Sequence, residues 1–391
     1  MSTSDAVYVD QHVFDGGPTL RLQRSLGLVK PEQPRILRRA LFSAIIAWAP
    51  LALATTAQTL FRGDGSAHWF FSDFSIHARY LIALPALIFA ERDCIPQLEK
   101  IVHHFVDIGL VANKDLPSYR AAVESTRRLL GSRYADLLVP VVAYLATFLL
   151  VLYVPLEWIQ PWQRTATGAF SPAGWWNLLV SMPLLQILLF GWMWRIVLWG
   201  RFLVLVAELD LRLLPSHPDS ACGLRFVSTS LRGFRFISFA LGAILAGAIA
   251  DRVVYQGADL LSFKTYLIGL VVFILIVFAG PLTVFIRKLR ETKRRGMFEY
   301  GALATRLGHE FESKWLSSNR KAKDEMLSAP DFSATTDYFS VAANVYEVRE
   351  LPFTVKDLIG PIIPALVPFL FVALLKIPFQ VIINSLIKLW F

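Results

Sequence analysis

The sequence predicts an all-α polytopic membrane protein, and three observations carry that reading. Leu267 to Ile286 is a run of twenty residues without a charged side chain, about 30 Å of helix and so matched to the hydrocarbon core of a bilayer. The next nine residues, Arg287 to Arg295, hold six Lys/Arg against one Glu, the positive excess that marks a cytoplasmic flank. Hydrophobic residues make up 55% of the 391-residue chain and charged residues 18%, too little charge to cover a soluble domain of that length.

Seven apolar spans follow from the same criterion: Ala40 to Phe61, Arg79 to Asp93, Leu137 to Leu156, Ala173 to Trp194, Phe236 to Ala250, Leu267 to Ile286 and Leu358 to Leu375. The second is the weakest, because only Tyr80 to Ala90 is free of charge. It must tilt polar flanks into the interface or run upstream through Phe70 and Phe71. Charge in the loops requires that it cross. Residues 92–135 carry seven Lys/Arg, 201–235 five and 287–357 thirteen, whereas 62–76 and 157–172 carry one each and 251–264 two. That alternation places the N-terminus inside and the C-terminus outside.

The chain therefore divides into an N-terminal cytoplasmic arm (1–39), spans one and two (40–93), a cytoplasmic helical loop (94–135), spans three to six (136–286), a second cytoplasmic helical region (287–357) and a last span with its tail (358–391). The loop 94–135 reads as two helices broken near Ala112 to Pro117. The sixth span is expected to continue unbroken as far as Trp315, since no proline follows Pro281 and the intervening residues favour helix. Ser317 to Ser333 is polar and turn-rich, with a further helix expected from Ala334 to Glu350. Phe379 to Phe391 reads as an amphipathic helix at the outer interface, with a short return pass as the alternative.

The formal charge of +9 points to topology and contact with anionic lipid. Nucleic acid is not implied, because the basic residues lie in loops between apolar spans. About forty mostly polar residues precede the first apolar run, so removal of a signal peptide is not expected. Cys94 and Cys222 both fall on the cytoplasmic side, where a disulfide is not expected.

Charges close to the bilayer are the candidate functional residues, since a charge in hydrocarbon costs about 2.5–3.5 kcal/mol on insertion scales. Glu91, Arg92 and Asp93 end the weak second span, where they line a wet cavity or close an ordinary helix. Arg195 and Arg201 follow the fourth span among Trp192, Trp194 and Trp199. Arg195 either snorkels to the interface or pairs with a carboxylate from another helix, for which Glu91 is the candidate. Glu208 shares a helix face with Arg201 at two turns' distance. Asp251 closes the fifth span on the outer side, beyond the small-residue stripe Gly242, Ala243, Ala246, Gly247 and Ala250, which suits close helix packing.

His217, Pro218 and Asp219 spell the tripeptide of J-domain cochaperones, but here it joins two membrane spans. The residues are better read as a turn in which Pro218 ends the fourth helix and Asp219 or Ser220 starts the next segment. His103 and His104 with Asp107 suggest a metal site only weakly, because adjacent histidines point about 100° apart on a helix. No metal or cofactor is implied. P-loop, GxSxG, HExxH, paired CxxC and dinucleotide signatures are absent, which leaves ATP-driven transport and the common hydrolase chemistries without residues to carry them.

Several segments together resemble a family of uncharacterised bacterial multi-pass inner-membrane proteins: LPALIFAE (84–91), WMWRIVLWGRFL (192–203), LDLRLLPSHPDSACGL (209–224), EYGALA (299–304), FESKW (311–315) and EVRELPF (347–353). Ala221 and Cys222 depart from a more glycine-rich HPD turn, and Ala329 to Asp337 departs as well. The resemblance implies an inner-membrane location and a polytopic fold, and it implies no chemistry.

Two functions fit these readings. One is a permeation or transport protein, homo-oligomeric, with Glu91, Arg195 and Arg201 near a cytoplasmic vestibule and proline-bearing spans that free backbone groups. The other is a membrane-anchored scaffold or signalling protein that presents Glu299, Tyr300 and Trp315 to a cytoplasmic protein. An enzyme acting on lipid would have only His217 with Asp219 to work with.

Overall fold

A computed structural model describes residues 13–14, 16–17, 36–153, 155, 159–165, 167–315 and 330–376. Nine helical runs organise them: α1 (Ile36–Arg62), α2 (Phe74–Asp107), α3 (Leu116–Leu130), α4 (Arg133–Tyr153), α5 (Pro172–Glu208), α6 (Arg235–Tyr255), α7 (Leu260–Trp315), α8 (Pro330–Tyr346) and α9 (Val355–Lys376). Seven of these, all but α3 and α8, are long and apolar enough to cross a bilayer. Among the described residues the only β pairing is two isolated bridges, Val111 with Leu211 and Arg164 with Phe170. The chain is an all-α, multi-pass membrane protein.

Burial ranks the spans. The most apolar windows of α2 and α6 are each 56% buried inside the chain, against 22% for α4 and α7, so α2 and α6 are the axis of the bundle and α4 and α7 its flanks. Large apolar side chains such as Leu60, Ile268, Ile276 and Phe371 remain exposed on the outside, as lipid-facing positions require. Gly242 sets the closest approach. A Cβ there would stand 2.0 Å from the Ala365 carbonyl oxygen, so α6 and α9 meet backbone to backbone.

The second span is longer than its uncharged centre suggests. It starts at Phe74 rather than Arg79 and runs on to Asp107 without a break, fusing the weak span with the first cytoplasmic helix. Asp73 terminates it upstream: its carboxylate accepts from the Ile76 amide at 3.0 Å, an N-cap that separates Phe70 and Phe71 into their own short helix, Ser66–Phe71. The first span is already helical at Ile36, the first described residue there, and so contains Arg38 and Arg39.

The fourth helix ends at Glu208, well before Pro218. Leu209 turns extended, its carbonyl accepts from Lys288, and Arg212 donates its amide to the Leu110 carbonyl at 2.8 Å, so Leu209 to Leu224 leaves the helix for an irregular segment. The sixth span does continue as helix to Trp315, but with a π turn at Leu275–Ala279 and a 3₁₀ stretch at Gly280–Phe285. The eighth helix is already helical at Pro330, the first described residue there, and ends at Tyr346, before the expected Glu350. The rest of the turn-rich segment, 317–329, and the expected amphipathic helix Phe379 to Phe391 lie outside the described residues.

Three π turns each precede a proline, whereas Pro50, Pro140, Pro361, Pro364 and Pro368 sit inside helices without one. Ala78–Ala83 precedes Pro85, Asn177–Ser181 precedes Pro183 and Leu275–Ala279 precedes Pro281. A proline ring displaces the carbonyl four residues back, and a widened turn takes up the displacement without leaving the helix. At the α6–α9 crossing, Gly242→Ala should destabilise the protein by about 2 kcal/mol through overpacking, read as a lower thermal midpoint in detergent. Gly269→Ala, with nothing within 4 Å of the new methyl, should not lower the midpoint, since alanine favours helix over glycine.

Candidate functional site

Charged residues gather at the two ends of the bundle and are treated differently at each. At the end carrying the basic loops, α1 supplies Arg39, α2 supplies Glu91 and α5 supplies Arg195. Arg39 Nη1 donates to Glu91 Oε2 at 2.6 Å, and Arg195 Nη1 lies 3.9 Å from Glu91 Oε1. Arg195 gives Nε and Nη2 to the Gly16 carbonyl at 3.1 and 2.8 Å. Its guanidinium also lies over the Trp192 ring, 4.9 Å from the centroid. Arg195 is 8% exposed and Arg39 4%. Arg195 therefore does not snorkel: Glu91 and a backbone carbonyl supply partners inside, so it need not reach for water.

The arm residues that reach this cluster are seated by contact. Val13 and Phe14 are fully buried, Phe14 sets its edge on Trp199 at 5.8 Å, and a Cβ on Gly17 would come within 2.5 Å of Arg195 Nη2. Glycine at 17 lets the backbone lie directly on the guanidinium. The remaining charges of the sequence reading sit outside the cluster. Asp93 pairs with Arg235, Arg92 and Glu208 are exposed, and Arg201 Nη1 donates to Ser125 Oγ at 3.0 Å to tie α5 to α3.

The HPD residues form a loop organised by Asp219. Its Oδ1 accepts from the amides of Ala221 at 2.8 Å and Gly223 at 3.1 Å, its Oδ2 accepts from the Arg225 amide at 3.1 Å, and His217 Nδ1 lies 2.9 Å from Oδ1. Ser220 and Cys222 hold positive φ within it, a conformation that these amide-to-carboxylate bonds sustain. Burial pushes the Cys222 thiol up to about 12. Among the contact candidates, Tyr300 is internal: its hydroxyl lies 3.3 Å from Ser216 Oγ and its carbonyl accepts from Tyr338. Glu299 is exposed beside Arg295, and Trp315 carries Lys314 over its ring at 5.2 Å. His104 packs on Phe226 at 4.5 Å. Among the described residues no three His, Cys, Asp or Glu side chains are grouped to hold a metal.

The opposite end holds a cavity of about 600 Å³ lined by Asp73, Arg79, Gln160, Gln163, Asp251 and Arg252, among others. Asp251 Oδ1 accepts from the Phe74 amide at 2.8 Å and Oδ2 from the Ser75 amide at 3.1 Å, so α6 caps α2. The loop wall is held by Trp162, fully buried, whose Nε1 donates to Asp73 Oδ2 at 3.0 Å and whose ring meets Phe70 edge-on at 5.3 Å. Two π turns meet beneath it, where the Tyr80 hydroxyl donates to Asn177 Oδ1 at 2.6 Å and Asn177 Nδ2 donates to Gln163 Oε1 at 3.1 Å. Of this wall, Asp251 and Arg252 stand out in the sequence, as the charges that close the fifth span. Asp73 three residues before Ile76 is an N-cap signal that was available; the loop glutamines carry none.

The chain matches no family model, no curated protein and no solved structure. Geometry therefore carries the functional reading alone. Glu91→Gln should leave two enclosed guanidinium groups short of an anion and destabilise the detergent-purified protein by about 3 kcal/mol. An unchanged thermal midpoint would show that the ion cluster contributes nothing to holding α1, α2 and α5 together.

Proposed function

We propose that this chain is a permeation or transport protein of a bacterial inner membrane, taking a small polar solute at the end remote from its basic loops. The observation that carries the proposal is the charged cavity between α2, α6 and the 159–165 loop, of a volume suited to small ligands. The excess of Lys/Arg at the other end makes that end cytoplasmic and the cavity outward-facing. Kinship to the uncharacterised inner-membrane family belongs to the same reading, as do anionic lipid contact along the basic segments and contact of the flanking spans α4 and α7 with lipid or a second copy.

In this reading the buried Arg39, Glu91 and Arg195 cluster is a cytoplasmic seal rather than an open vestibule. It joins three spans and the arm through charge-assisted hydrogen bonds and an ion pair, and a site open on one side and closed on the other is what alternating access requires of a resting state. Arg79, which lines the cavity from a π turn, is the residue on which flux should depend.

A scaffold role keeps one specific support. α7 projects a long helical extension whose Phe298 is 71% exposed beside Arg294 and Met297, a surface suited to a cytoplasmic protein. Crosslinking in cells discriminates: a stoichiometric soluble partner captured through Phe298 supports the scaffold.

Reconstitution into liposomes tests transport. Wild-type vesicles should pass organic ions or polar solutes above the protein-free background, and Arg79→Gln should reduce that flux at least tenfold. Wild-type vesicles as tight as protein-free ones would overturn the proposal.

A further inference from the structure

We infer that the outer cavity binds a small organic carboxylate, held by Arg79 with Ser75 and the amide side chains of the loop; the inference names the solute class of the transport reading and rests on it for any movement across the membrane. It starts from which charges in the cavity are already engaged. Each of the carboxylate oxygens of Asp73 and Asp251 accepts an N–H: Ile76 and Trp162 donate to Asp73, and Phe74 and Ser75 donate to Asp251. These acids hold the start of α2 and the loop in place, at the positive end of a long helix where anions are favoured. A cationic solute would find each of those oxygens already accepting one hydrogen bond.

The unengaged groups are donors. Arg79 is half-buried, lines the cavity, and among the described residues has no carboxylate or acceptor within bonding distance. Its position on the π turn Ala78–Ala83 is the kind of irregular helix that recurs at functional sites. Ser75 lines the same cavity, is 8% exposed, and its hydroxyl has no partner among the described residues. A buried hydroxyl left in that state is costly, and a polar ligand that reached it would relieve the cost. Gln160, Gln163 and Gln256 add amides, and because Gln163 Oε1 already accepts from Asn177, its nitrogen is the end left to donate.

Charge and shape then select among anions. A carboxylate matches the planar fork of a guanidinium with two parallel hydrogen bonds. Arg79 and Arg252 line the cavity together with Asp73 and Asp251, so its wall holds side chains of both signs. A singly charged carboxylate brings less negative charge beside Asp73 and Asp251 than phosphate does. Lining amides and a hydroxyl suit hydroxyl groups on the rest of the ligand.

Calorimetric titration of the full chain in detergent tests the site, with sodium lactate and sodium gluconate as probes and choline chloride and inorganic phosphate as comparisons. Wild type should bind a carboxylate probe and neither comparison. Arg79→Gln should weaken that binding at least tenfold, Arg79→Lys should recover part of it, and Ser75→Ala should weaken it less. Circular dichroism on each variant separates lost binding from lost fold. Binding of choline or phosphate in preference to carboxylates, equal binding by a folded Arg79→Gln, or no carboxylate binding to wild type would each overturn the inference. Carboxylate binding in a protein that passes no solute in liposomes would overturn transport and leave the site standing; flux confined to cations would do the reverse.

Discussion

A backbone amide or carbonyl without a partner costs several kcal/mol in lipid, and that penalty shapes every membrane-crossing segment of this protein. Prolines test the constraint, because each removes a donor and pushes a carbonyl aside. At Pro85, Pro183 and Pro281 the helix answers in the same way, with a π turn just upstream. Two of those turns are locked to one another by Tyr80 and Asn177. The irregularity is thus paired across α2 and α5, inside protein rather than facing lipid, where widened backbone can be tolerated.

Polar groups are managed by opposite means at the two ends of the bundle. Arg39, Glu91 and Arg195 are enclosed and matched to one another, and little is left over to meet a ligand. At the cavity end the acids are consumed by helix amides and an indole, while Arg79 and the Ser75 hydroxyl are left unmatched. Interaction strength alone does not make a binding site. The unmatched donors do, because they are where a solute gains more than it loses on leaving water.

The number of spans was legible in the sequence because it depends on composition over about twenty residues. Helix ends were less so. The start of α2 depends on Asp251, far away in sequence and reaching the Phe74 and Ser75 amides, and no local pattern around Phe74 records that. The end of α5 was misplaced at Pro218 because a proline is a strong local stop signal, whereas the actual stop depends on Leu209 and Arg212 finding partners on α7 and beside α2. Glu91 and Arg195 could be suspected from depth in the membrane, but Gly16 as the third partner could not: a glycine carbonyl has no signature. The cavity was hidden for the same reason, since Gln160 and Gln163 become significant only when Trp162 folds their loop over Asp73.

The seat of Gly16 has a consequence for biogenesis. Val13, Phe14, Gly16 and Gly17 are made before α5, yet the guanidinium that receives them belongs to α5, which emerges some 180 residues later. At elongation rates of about 5–20 residues per second, the arm must wait on the order of ten seconds or more with Val13 and Phe14 uncovered. Its docking is therefore a late event in assembly, and it reports that the first, second and fourth spans have already come together.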